Sequence, residues 1–554
     1  MLILHELFKK VFMNLILKKA LYSIFTASLL GLIFVSIEQI FRIYNDSLTF
    51  NLTVKLFFEY MAINLLIISL KSKKAIKIVY LIVILLIFFQ YVHMNFYGSW
   101  IFPLEYILFF KDFSEVMQTF VSVLDITIIP FILSFIMYLL IYLMIDNLRD
   151  HRLKIPYMNY IWVLYLVFLP IHSYIKHSDK GAKPDMERNS LRNTVWTLSF
   201  LTGQILPKMI YGDSESEVAI VPIPNKIIEN PKINIIVVMG ESLTSEKMSL
   251  FGYKKITTPN LDKLKGKNNF AYKEAFASGS MTSVAVPSFF NILNKPDSMP
   301  QIVSRNTCLF KMAKENGFNT YYYSAQSRNQ LSGLKSFLCT SYIDEIKDAT
   351  DTTGKEKTMA LDETLLTYLD SVDLSKPNFI VLHQRGSHSP ITGQYPAKFE
   401  ISKQKKENTK VQNYLAKYEN SVLYTDYVWW NIIKKVKEKS KLKTYIFFTS
   451  DHGESVGYIN AHGHGDLSRK EQYIVPFVLY AHLDNNITKR IPNKKYSSHY
   501  EMGLLVGELM GYDFSKTCYQ KDEHYVCGRD IQGYDGYIKV DVNGSKIKSK
   551  FLSN

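Results

Sequence analysis

Residues of the types that bind metal ions follow three short apolar runs of this chain. Glu241 comes directly after INIIVVMG, His383 and His388 lie in NFIVLHQRGSH, and Asp451 and His452 come directly after TYIFFTS. Carboxylate oxygens and imidazole nitrogens are ligands for zinc and similar divalent ions. Such runs are typical of buried parallel strands, whose carboxyl ends lie at one edge of a sheet. We therefore expect these side chains to converge on a divalent metal.

A histidine-rich stretch, AHGHGD, follows the Asp451–His452 pair and adds His462 and His464. An acidic residue after a strand often only caps the next helix. Capping would explain one such residue, but it does not explain metal-type residues after three different strands. The strand-end segments and this stretch hold five of the thirteen histidines: His383, His388, His452, His462 and His464. We expect a functional cluster.

Five hydroxyl side chains occupy the segment FASGSMTSVAVPSFF, Phe276 to Phe290. The pattern predicts a glycine-containing turn that enters the first turn of a helix, where unpaired N–H groups and the helix dipole attract phosphate. A metal held by carboxylates and imidazole would also lower the pKa of a bound hydroxyl. Alternatively, Ser278 or Ser280 caps the helix. The residues alone do not choose among the five hydroxyls.

Apolar runs of strand length recur along the last 320 or so residues, separated by helix-like stretches. This alternation predicts an α/β domain over residues 233–554, with a central, mostly parallel sheet flanked by helices. Residues 177–232 are polar and proline-rich and read as a linker, with a helical patch at Ser190 to Leu201.

Five apolar runs in the first third of the chain each approach the roughly 20 residues that cross a bilayer. They lie near 20–41, 52–70, 76–97, 125–145 and 156–176, and predict a transmembrane domain of five helices over 1–176. Basic loops after the second and fourth runs predict a cytoplasmic N-terminus. An odd number of spans places residues 233–554 on the far side of the membrane.

Charge and cysteine content limit the remaining function classes. The net charge of +15 is not organised as a basic stripe with interleaved aromatics, so we expect no nucleic acid partner. All four cysteines follow the last apolar run, on the side of the membrane where disulfides form. We expect Cys518 to pair with Cys527 because the two close a short loop. Buried free thiols are the alternative.

The order of these motifs resembles the membrane-bound phosphoethanolamine transferases of Gram-negative bacteria. The segments that carry the resemblance are NIIVVMGES, GSMTSVAVPSFF, LHQRGSH, SDHGES and HGHGDLSRKEQYIVPF. These enzymes belong to the sulfatase-like part of the alkaline phosphatase superfamily and include lipid A-modifying and colistin-resistance enzymes. The resemblance implies five spans in the bacterial inner membrane and a periplasmic catalytic domain of alkaline phosphatase fold.

The resemblance also implies roles for individual residues. The nucleophile is Thr282, five residues before Pro287, and the first zinc is held by Glu241, Asp451, His452 and Thr282. The remaining matched positions would contact the transferred phosphoryl group or a second zinc: His383, His388 and His464, with His462 as the runner-up and Lys335 by a loose local match.

The sequence departs from the lipid A-type members at a cysteine pair that flanks the nucleophile. The matching positions here are Ser278 and Ser288, so the disulfide framework of those enzymes is mostly absent. This difference leaves the expected reaction chemistry untouched, but it weakens any inference about the acceptor.

The resemblance implies transfer of phosphoethanolamine from phosphatidylethanolamine to a periplasmic acceptor, which is lipid A, the lipopolysaccharide core or another glycan. Alternatives on the same fold are a phosphoglycerol transferase or a phosphodiesterase, and no C/S-x-P-x-R run indicates a true sulfatase. An alternative of another class is a non-catalytic, membrane-anchored envelope-assembly protein. The set Glu241, Thr282, Asp451 and His452 argues against that alternative.

Overall fold

The computed structural model divides the chain into two compact units, Met1–Lys111 with Phe120–Gly212, and Asp112–Thr119 with Asp213–Asn554. Each unit is described by itself. The structure describes residues 2–45, 53–97, 100–111, 124–148, 151–176, 188–207, 220–296, 299–328, 337–354, 360–389, 391–405, 408–458, 461–491, 494–515, 523–531, 536–541 and 543–550, and positions 117, 120, 121, 181, 185, 331 and 334.

The first unit is helical, and each of the five predicted apolar runs forms a helix. Its helices are α1 (Leu2–Tyr44), α2 (Thr53–Ile68), α3 (Lys73–Tyr97), α4 (Pro103–Lys111), α5 (Leu124–Asp146), α6 (Met158–Lys176) and α7 (Ser190–Phe200). Among the described residues, three helices are long and apolar enough to cross a membrane: Ile16–Tyr44, Lys73–Asn95 and Ile126–Asp146. The helices fit a membrane domain, but the predicted number of five spans is not confirmed.

The predicted helical patch in the linker is confirmed as α7, which packs within the first unit. Asn189 caps its N-terminus by accepting a hydrogen bond from the Arg192 N–H. The backbone N–H and hydroxyl of Ser190 both donate to Glu38 of α1, at 3.3 and 3.0 Å. Glu38 is also paired with Arg42 at 2.9 Å, and both are buried. These contacts tie α7 to α1; the domain boundaries 1–176, 177–232 and 233–554 stay predictions.

The second unit contains the strands. They are β1 (Asn225–Lys226), β2 (Ile233–Gly240), β3 (Phe270–Phe276), β4 (Asn319–Ser324), β5 (Glu345–Lys347), β6 (Asn378–His383), β7 (Lys443–Ser450), β8 (Ser455–Tyr458), β9 (Ala461–Gly463), β10 (Ile474–His482), β11 (Ser497–Ser498), β12 (Tyr512–Asp513), β13 (Glu523–Cys527), β14 (Tyr537–Asp541) and β15 (Lys546–Lys550). The main sheet has eight strands in the order β11-β3-β10-β7-β2-β6-β4-β5.

The α/β fold with a mostly parallel central sheet is confirmed. Strand β2 pairs in parallel with both β6 and β7, while β10 runs antiparallel to β3 and β7. Alternate side chains of β2 enter two different apolar clusters, Ile235 and Val237 on one face and Ile236 and Val238 on the other. Burial on both faces explains why its sequence is continuously apolar.

Helices cover both faces of this sheet. They are α8 (Pro259–Asp262), α9 (Thr282–Phe290), α10 (Met299–Ser304), α11 (Leu309–Glu315), α12 (Ala349–Thr353), α13 (Thr364–Asp370), α14 (Lys410–Lys439) and α15 (His499–Leu509). Short 3₁₀ turns occupy Ser245–Lys247, Ser249–Phe251, Thr340–Tyr342, Ala397–Phe399, Lys470–Gln472 and Ile487–Arg490. Residues from α9, α11 and α15 line one face, and residues from α14 line the other.

One disulfide joins Cys308 to Cys339, a pair that the sequence did not single out. The two residues lie at the start of α11 and before the Thr340–Tyr342 turn, so spacing in the chain gave no indication that they meet. Of the predicted pair, Cys518 lies outside the described residues, and the Cys518–Cys527 bond stays a prediction.

Candidate active site

The ends of three adjacent strands bring the predicted metal ligands together. In the parallel register Met239 lies opposite His383, and Gly240 lies opposite Ser450. Glu241 and Asp451, the next residue after each of that last pair, therefore lie side by side beyond the ends of neighbouring strands. This is the carboxyl edge of the sheet, where ligands bind in open α/β folds.

Glu241, Asp451 and His452 form a compact group of possible metal ligands. One ligand atom from each lies within 4.8 Å of the others, and all three residues are buried. His452 Nε2 lies 3.2 Å from Asp451 Oδ2 and 3.5 Å from Glu241 Oε1. The convergence predicted from the strand ends is thus present for these three side chains.

The protonation of His452 leaves a lone pair directed at this group. Its Nδ1 lies 2.9 Å from the Gly453 carbonyl oxygen, which can only accept, so Nδ1 carries the proton and Nε2 does not. Burial lowers the pKa of His452 to about 4, so the ring is neutral at pH 7. Two carboxylates and an imidazole lone pair facing one another make a donor set that a divalent cation fits.

The two carboxylates respond differently to burial. Burial and the negative charge of Glu241 raise the pKa of Asp451 well above its ordinary value. Burial would also raise the pKa of Glu241, but the imidazoles of His383, His388 and His452 hold it well below its ordinary value. Like charges brought out of water repel, and a bound cation would relieve that repulsion.

Thr282 lies beside this group as the first residue of α9. Its hydroxyl donates to Glu241 Oε1 at 3.0 Å and lies 3.2 Å from His452 Nε2. The predicted turn into a helix is confirmed, because the residue before it, Met281, is extended and serves as the N-cap. The helix dipole and the backbone N–H groups at the start of α9 make this a position where phosphate is stabilised.

The other four hydroxyls of the segment have different surroundings. No side chain caps α9, so neither Ser278 nor Ser280 has the capping role that was the alternative. Ser278 and Ser280 pair through their backbones with Cys527, and Ser288 is buried within the helix. Within the described part of the chain, Thr282 is the one of the five whose hydroxyl contacts Glu241 and His452.

The predicted phosphoryl or second-metal residues divide into two sets. His383 is fully buried, with Nδ1 2.8 Å from the Tyr322 hydroxyl and Nε2 3.1 Å from Gln326 Nε2. The rings of His388 and His464 lie 5.9 Å apart, and the His464 ring lies 4.0 Å from that of His452. The site therefore has an inner histidine, His383, and two histidines near His452.

Two of the predicted site residues have side chains outside the described part of the chain. Lys335 lies outside the described residues, and the side chain of His462 does as well, although its backbone forms part of β9. The choice of His464 over His462 and the assignment of Lys335 stay predictions.

Gln326 belongs to the site, and the sequence analysis missed it. It follows β4, and its side-chain amide donates to Glu241 Oε2 at 2.8 Å. The same strand-end rule that singled out Glu241 would have found it, but a neutral glutamine does not stand out as a metal-type residue. Glu454 is a further buried neighbour, with Oε2 2.8 Å from His464 Nδ1.

A buried aspartate outside the predicted set holds the segment that carries His388. Asp362 accepts hydrogen bonds from the backbone N–H groups of Arg385 at 2.6 Å and Gly386 at 3.2 Å. Burial raises the pKa of Asp362 to about 6. The next residue, Ser387, donates its N–H to the Glu241 carbonyl at 3.0 Å. This segment therefore packs against the backbone of Glu241, a candidate metal ligand.

This fold and site define a candidate metal centre at the carboxyl edge of an α/β sheet. Residues 233–512, just over half of the chain, match the sulfatase family model. The chain belongs to the sulfatase family.

Named relatives resemble just under half of this chain. Phosphoethanolamine transferase EptA of Helicobacter pylori (strain ATCC 700392 / 26695) is 27% identical over 264 residues, which is 45% of this chain and 47% of the relative. Kdo(2)-lipid A phosphoethanolamine 7''-transferase of Escherichia coli (strain K12) is 27% identical over 258 residues, 44% of each. The chain spans about half the length of the curated relatives it matches. The predicted resemblance is confirmed.

A solved structure extends the likeness to most of the chain. The integral membrane protein lipooligosaccharide phosphoethanolamine transferase A (EptA) from Neisseria meningitidis has a TM-score of 0.58 and 16% identity, and the match covers 89% of this chain and 96% of that chain. At this identity the likeness shows the fold alone.

Proposed function

We propose that the protein is a zinc-dependent phosphoethanolamine transferase of the bacterial inner membrane, with five spans and a periplasmic catalytic domain. It moves phosphoethanolamine from phosphatidylethanolamine, through a covalent adduct on Thr282, to a periplasmic acceptor such as lipid A, the lipopolysaccharide core or another glycan. The observation that carries the proposal is the hydroxyl of Thr282 at 3.0 Å from Glu241 and 3.2 Å from His452. Two relatives named for phosphoethanolamine transfer support the choice of group transferred.

Glu241, Asp451 and His452 would hold one zinc, with Thr282 as a further oxygen ligand. His388 and His464 are the candidates for a second ion or for the phosphoryl group. A zinc ion bound here supplies Lewis-acid stabilisation of the phosphoryl oxygens and lowers the pKa of a coordinated hydroxyl.

In the first half of the reaction, Thr282 Oγ1 forms a bond to phosphorus and the bond from phosphorus to the diacylglycerol oxygen breaks. The hydroxyl proton leaves toward Glu241 Oε1, to which it already donates. The first turn of α9 binds the phosphoryl oxygens through its backbone N–H groups. The ester on Thr282 carries the phosphoethanolamine, and diacylglycerol is released.

The departing diacylglycerol oxygen requires a proton, and the Glu454–His464 pair can supply it. Burial raises the pKa of Glu454 to about 8, so its carboxyl is protonated at pH 7 and donates to His464 Nδ1 at 2.8 Å. The neutral ring of His464 then carries its one proton on Nε2, and it can pass that proton to the leaving oxygen while Nδ1 takes up the proton of Glu454. In the second half the acceptor oxygen forms a bond to phosphorus and its proton returns to this pair, while the bond from phosphorus to Thr282 Oγ1 breaks and Glu241 returns its proton to that oxygen.

The test uses the full-length protein in nanodiscs that contain phosphatidylethanolamine and no acceptor. We expect one equivalent of diacylglycerol and a phosphoethanolamine adduct on the peptide that contains Thr282, because covalent catalysis separates the two halves. Thr282→Ala should give neither product. The matched control is Ser283→Ala, which removes the adjacent hydroxyl and should keep both.

An adduct on another residue, or diacylglycerol release by Thr282→Ala, would contradict the proposed mechanism. Release of diacylglycerol from phosphatidylglycerol but not from phosphatidylethanolamine would identify a phosphoglycerol transferase. No release from either lipid would favour a non-catalytic role.

A further inference from the structure

A three-stranded antiparallel sheet, β13-β14-β15, lies beyond the part of the chain that matches the sulfatase family, which ends at residue 512. Its first strand contacts the segment that leads to Thr282, which we call the nucleophile loop (residues 277–282). The Cys527 N–H donates to the Ser278 carbonyl at 2.9 Å, and the Ser280 N–H donates to the Cys527 carbonyl at 3.0 Å. Cys527 thus forms an isolated β-bridge with Gly279 in the middle of the nucleophile loop.

Apolar packing fixes this sheet against the start of the nucleophile loop. Val526, Ile538 and Val540 are essentially inaccessible to solvent and belong to the same apolar cluster as Phe276, the residue that precedes the loop. The Phe276 ring lies 5.8 Å from that of His524 on β13. The C-terminal sheet therefore contacts the nucleophile loop through backbone hydrogen bonds and packs beside it through its apolar side chains.

A second contact reaches the turn that follows His464. Arg529, which is 3% exposed, donates from Nε to the Gly465 carbonyl at 3.1 Å. Gly465 has a φ of +96°, and a Cβ at this position would lie 2.6 Å from Arg529 Nε. The arginine therefore occupies the space that a side chain on residue 465 would need, and this contact requires glycine.

These two contacts lie two residues apart on one segment. Cys527 holds the loop that carries Thr282, and Arg529 holds the residue next to His464. The main sheet supplies Glu241, Asp451 and His452 from its strand ends, but neither Thr282 nor His464 lies at the end of one of the parallel strands. This C-terminal segment contacts both the loop that carries Thr282 and the turn that follows His464.

We propose that the segment of residues 527–529, at the end of β13, serves the catalytic centre, and that Arg529 is a positioning residue that holds the His464 turn in place relative to Thr282. The inference rests on the proposed function, in which Thr282 is the nucleophile and His464 the proton donor. Small displacements between reacting groups are costly, since about 1 Å can reduce a rate by roughly 100-fold.

The test disturbs the contact between Arg529 and Gly465 from both sides in the full-length protein. Arg529→Met removes the donor while keeping much of the volume, and Gly465→Ala places a methyl group against the guanidinium. The first control is Lys539→Met, a cation on β14 that pairs with Glu523 of the same sheet. The second control is Gly252→Ala, which has a φ of +98° and no atom within 4 Å of the added Cβ.

For both contact variants we expect kcat to fall about tenfold or more, with KM for phosphatidylethanolamine and zinc content unchanged. Amide hydrogen exchange should accelerate in peptides covering 277–283 and 463–468 and stay unchanged in the main sheet. Arg529→Lys, which retains a donor, should recover part of kcat. The two controls should match the wild type in activity, apart from lower stability for Gly252→Ala through its backbone strain.

A wild-type kcat and unchanged exchange in both contact variants would overturn the proposal. A uniform rise in exchange across the domain, with zinc lost, would show that Arg529 only stabilises the fold, and would also overturn it. If the wild type released no diacylglycerol, the proposed function would fail, but exchange at 277–283 would still decide whether the C-terminal sheet holds this loop.

Discussion

Gly386 packs against the backbone of Glu241 with no space between them. A Cβ on residue 386 would lie 2.7 Å from the Glu241 carbonyl oxygen and 2.9 Å from its nitrogen, and Gly386 has a φ of +58°. The segment that joins His383 to His388 therefore constrains where the backbone of Glu241, a candidate metal ligand, lies. A side chain here would move either that segment or Glu241.

We expect Gly386→Ala to weaken zinc binding by about 10- to 100-fold, the usual effect of disturbing the groups that orient a ligand. The matched control is Gly393→Ala, because Gly393 also has a positive φ, +81°, but no atom lies within 4 Å of the added Cβ. Both variants bear the backbone strain, and only the first touches Glu241. Zinc affinity measured by competition with a chelator should separate them; equal affinities would show that Glu241 is positioned independently of this segment.

Gln326 should affect zinc affinity by orienting the Glu241 carboxylate through Oε2. Its amide donates to Glu241 Oε2 at 2.8 Å and leaves Oε1 directed at Thr282. Gln326→Ala removes that donor, and we expect a 10- to 100-fold loss of zinc affinity, again roughly the effect of losing such a partner. Gln412→Ala, which removes a capping contact at the start of α14, is the control and should bind zinc normally. Unchanged affinity in Gln326→Ala would contradict this role.

Removal of zinc should destabilise the second unit as well as abolish activity. Asp451 and Glu241 are buried beside each other, and loss of the cation leaves their repulsion uncompensated. Dialysis against a chelator should lower the thermal unfolding temperature, and stoichiometric zinc should restore both stability and diacylglycerol release. Thr282→Ala should show the same stabilisation by zinc without activity, which separates binding from reaction. Full activity in metal-free protein would refute the zinc mechanism.

Titration of Asp362 should make the free energy of unfolding increase as the pH falls. Its pKa in the folded protein is about 6, against about 3.9 in an unfolded chain. The folded state therefore takes up this proton at the higher pH, and stability increases as the pH falls between these values. From about pH 7.5 to pH 5 the free energy of unfolding should rise by about 1.4 kcal/mol through this group.

The variant Asp362→Asn cannot titrate and should lack this increment. The measurement is the difference between wild type and variant in chemical unfolding of the full-length protein in detergent at each pH. A constant difference across the range would mean that Asp362 has an ordinary pKa in the folded state.

The parts of this architecture that depend on local pattern could be predicted. The continuous apolar run before Glu241 predicts a strand buried on both faces, and the strand-end rule then places Glu241 beside Asp451. The turn into the helix at Thr282 follows from glycine and hydroxyl residues before an apolar run. The choice of Thr282 among five hydroxyls needed the resemblance to known enzymes.

The parts that depend on distant contacts could not be predicted. Asp362 and Arg529 are ordinary residues in the sequence, and each acquires its role from a backbone group of another segment of the chain. The Cys308–Cys339 disulfide is of the same kind. The predicted count of five spans is not confirmed for another reason: α2 has only 16 residues, and length alone does not decide whether it crosses a bilayer.

The position of β2 in the middle of the eight-stranded sheet has a consequence for how such proteins diversify. Each of the three candidate zinc ligands lies just beyond the end of a strand of this sheet, so the connections between the strands can lengthen, shorten or change composition without displacing the ligands. Proteins that share this fold can therefore differ in these connections while keeping the same cluster at the edge of the sheet.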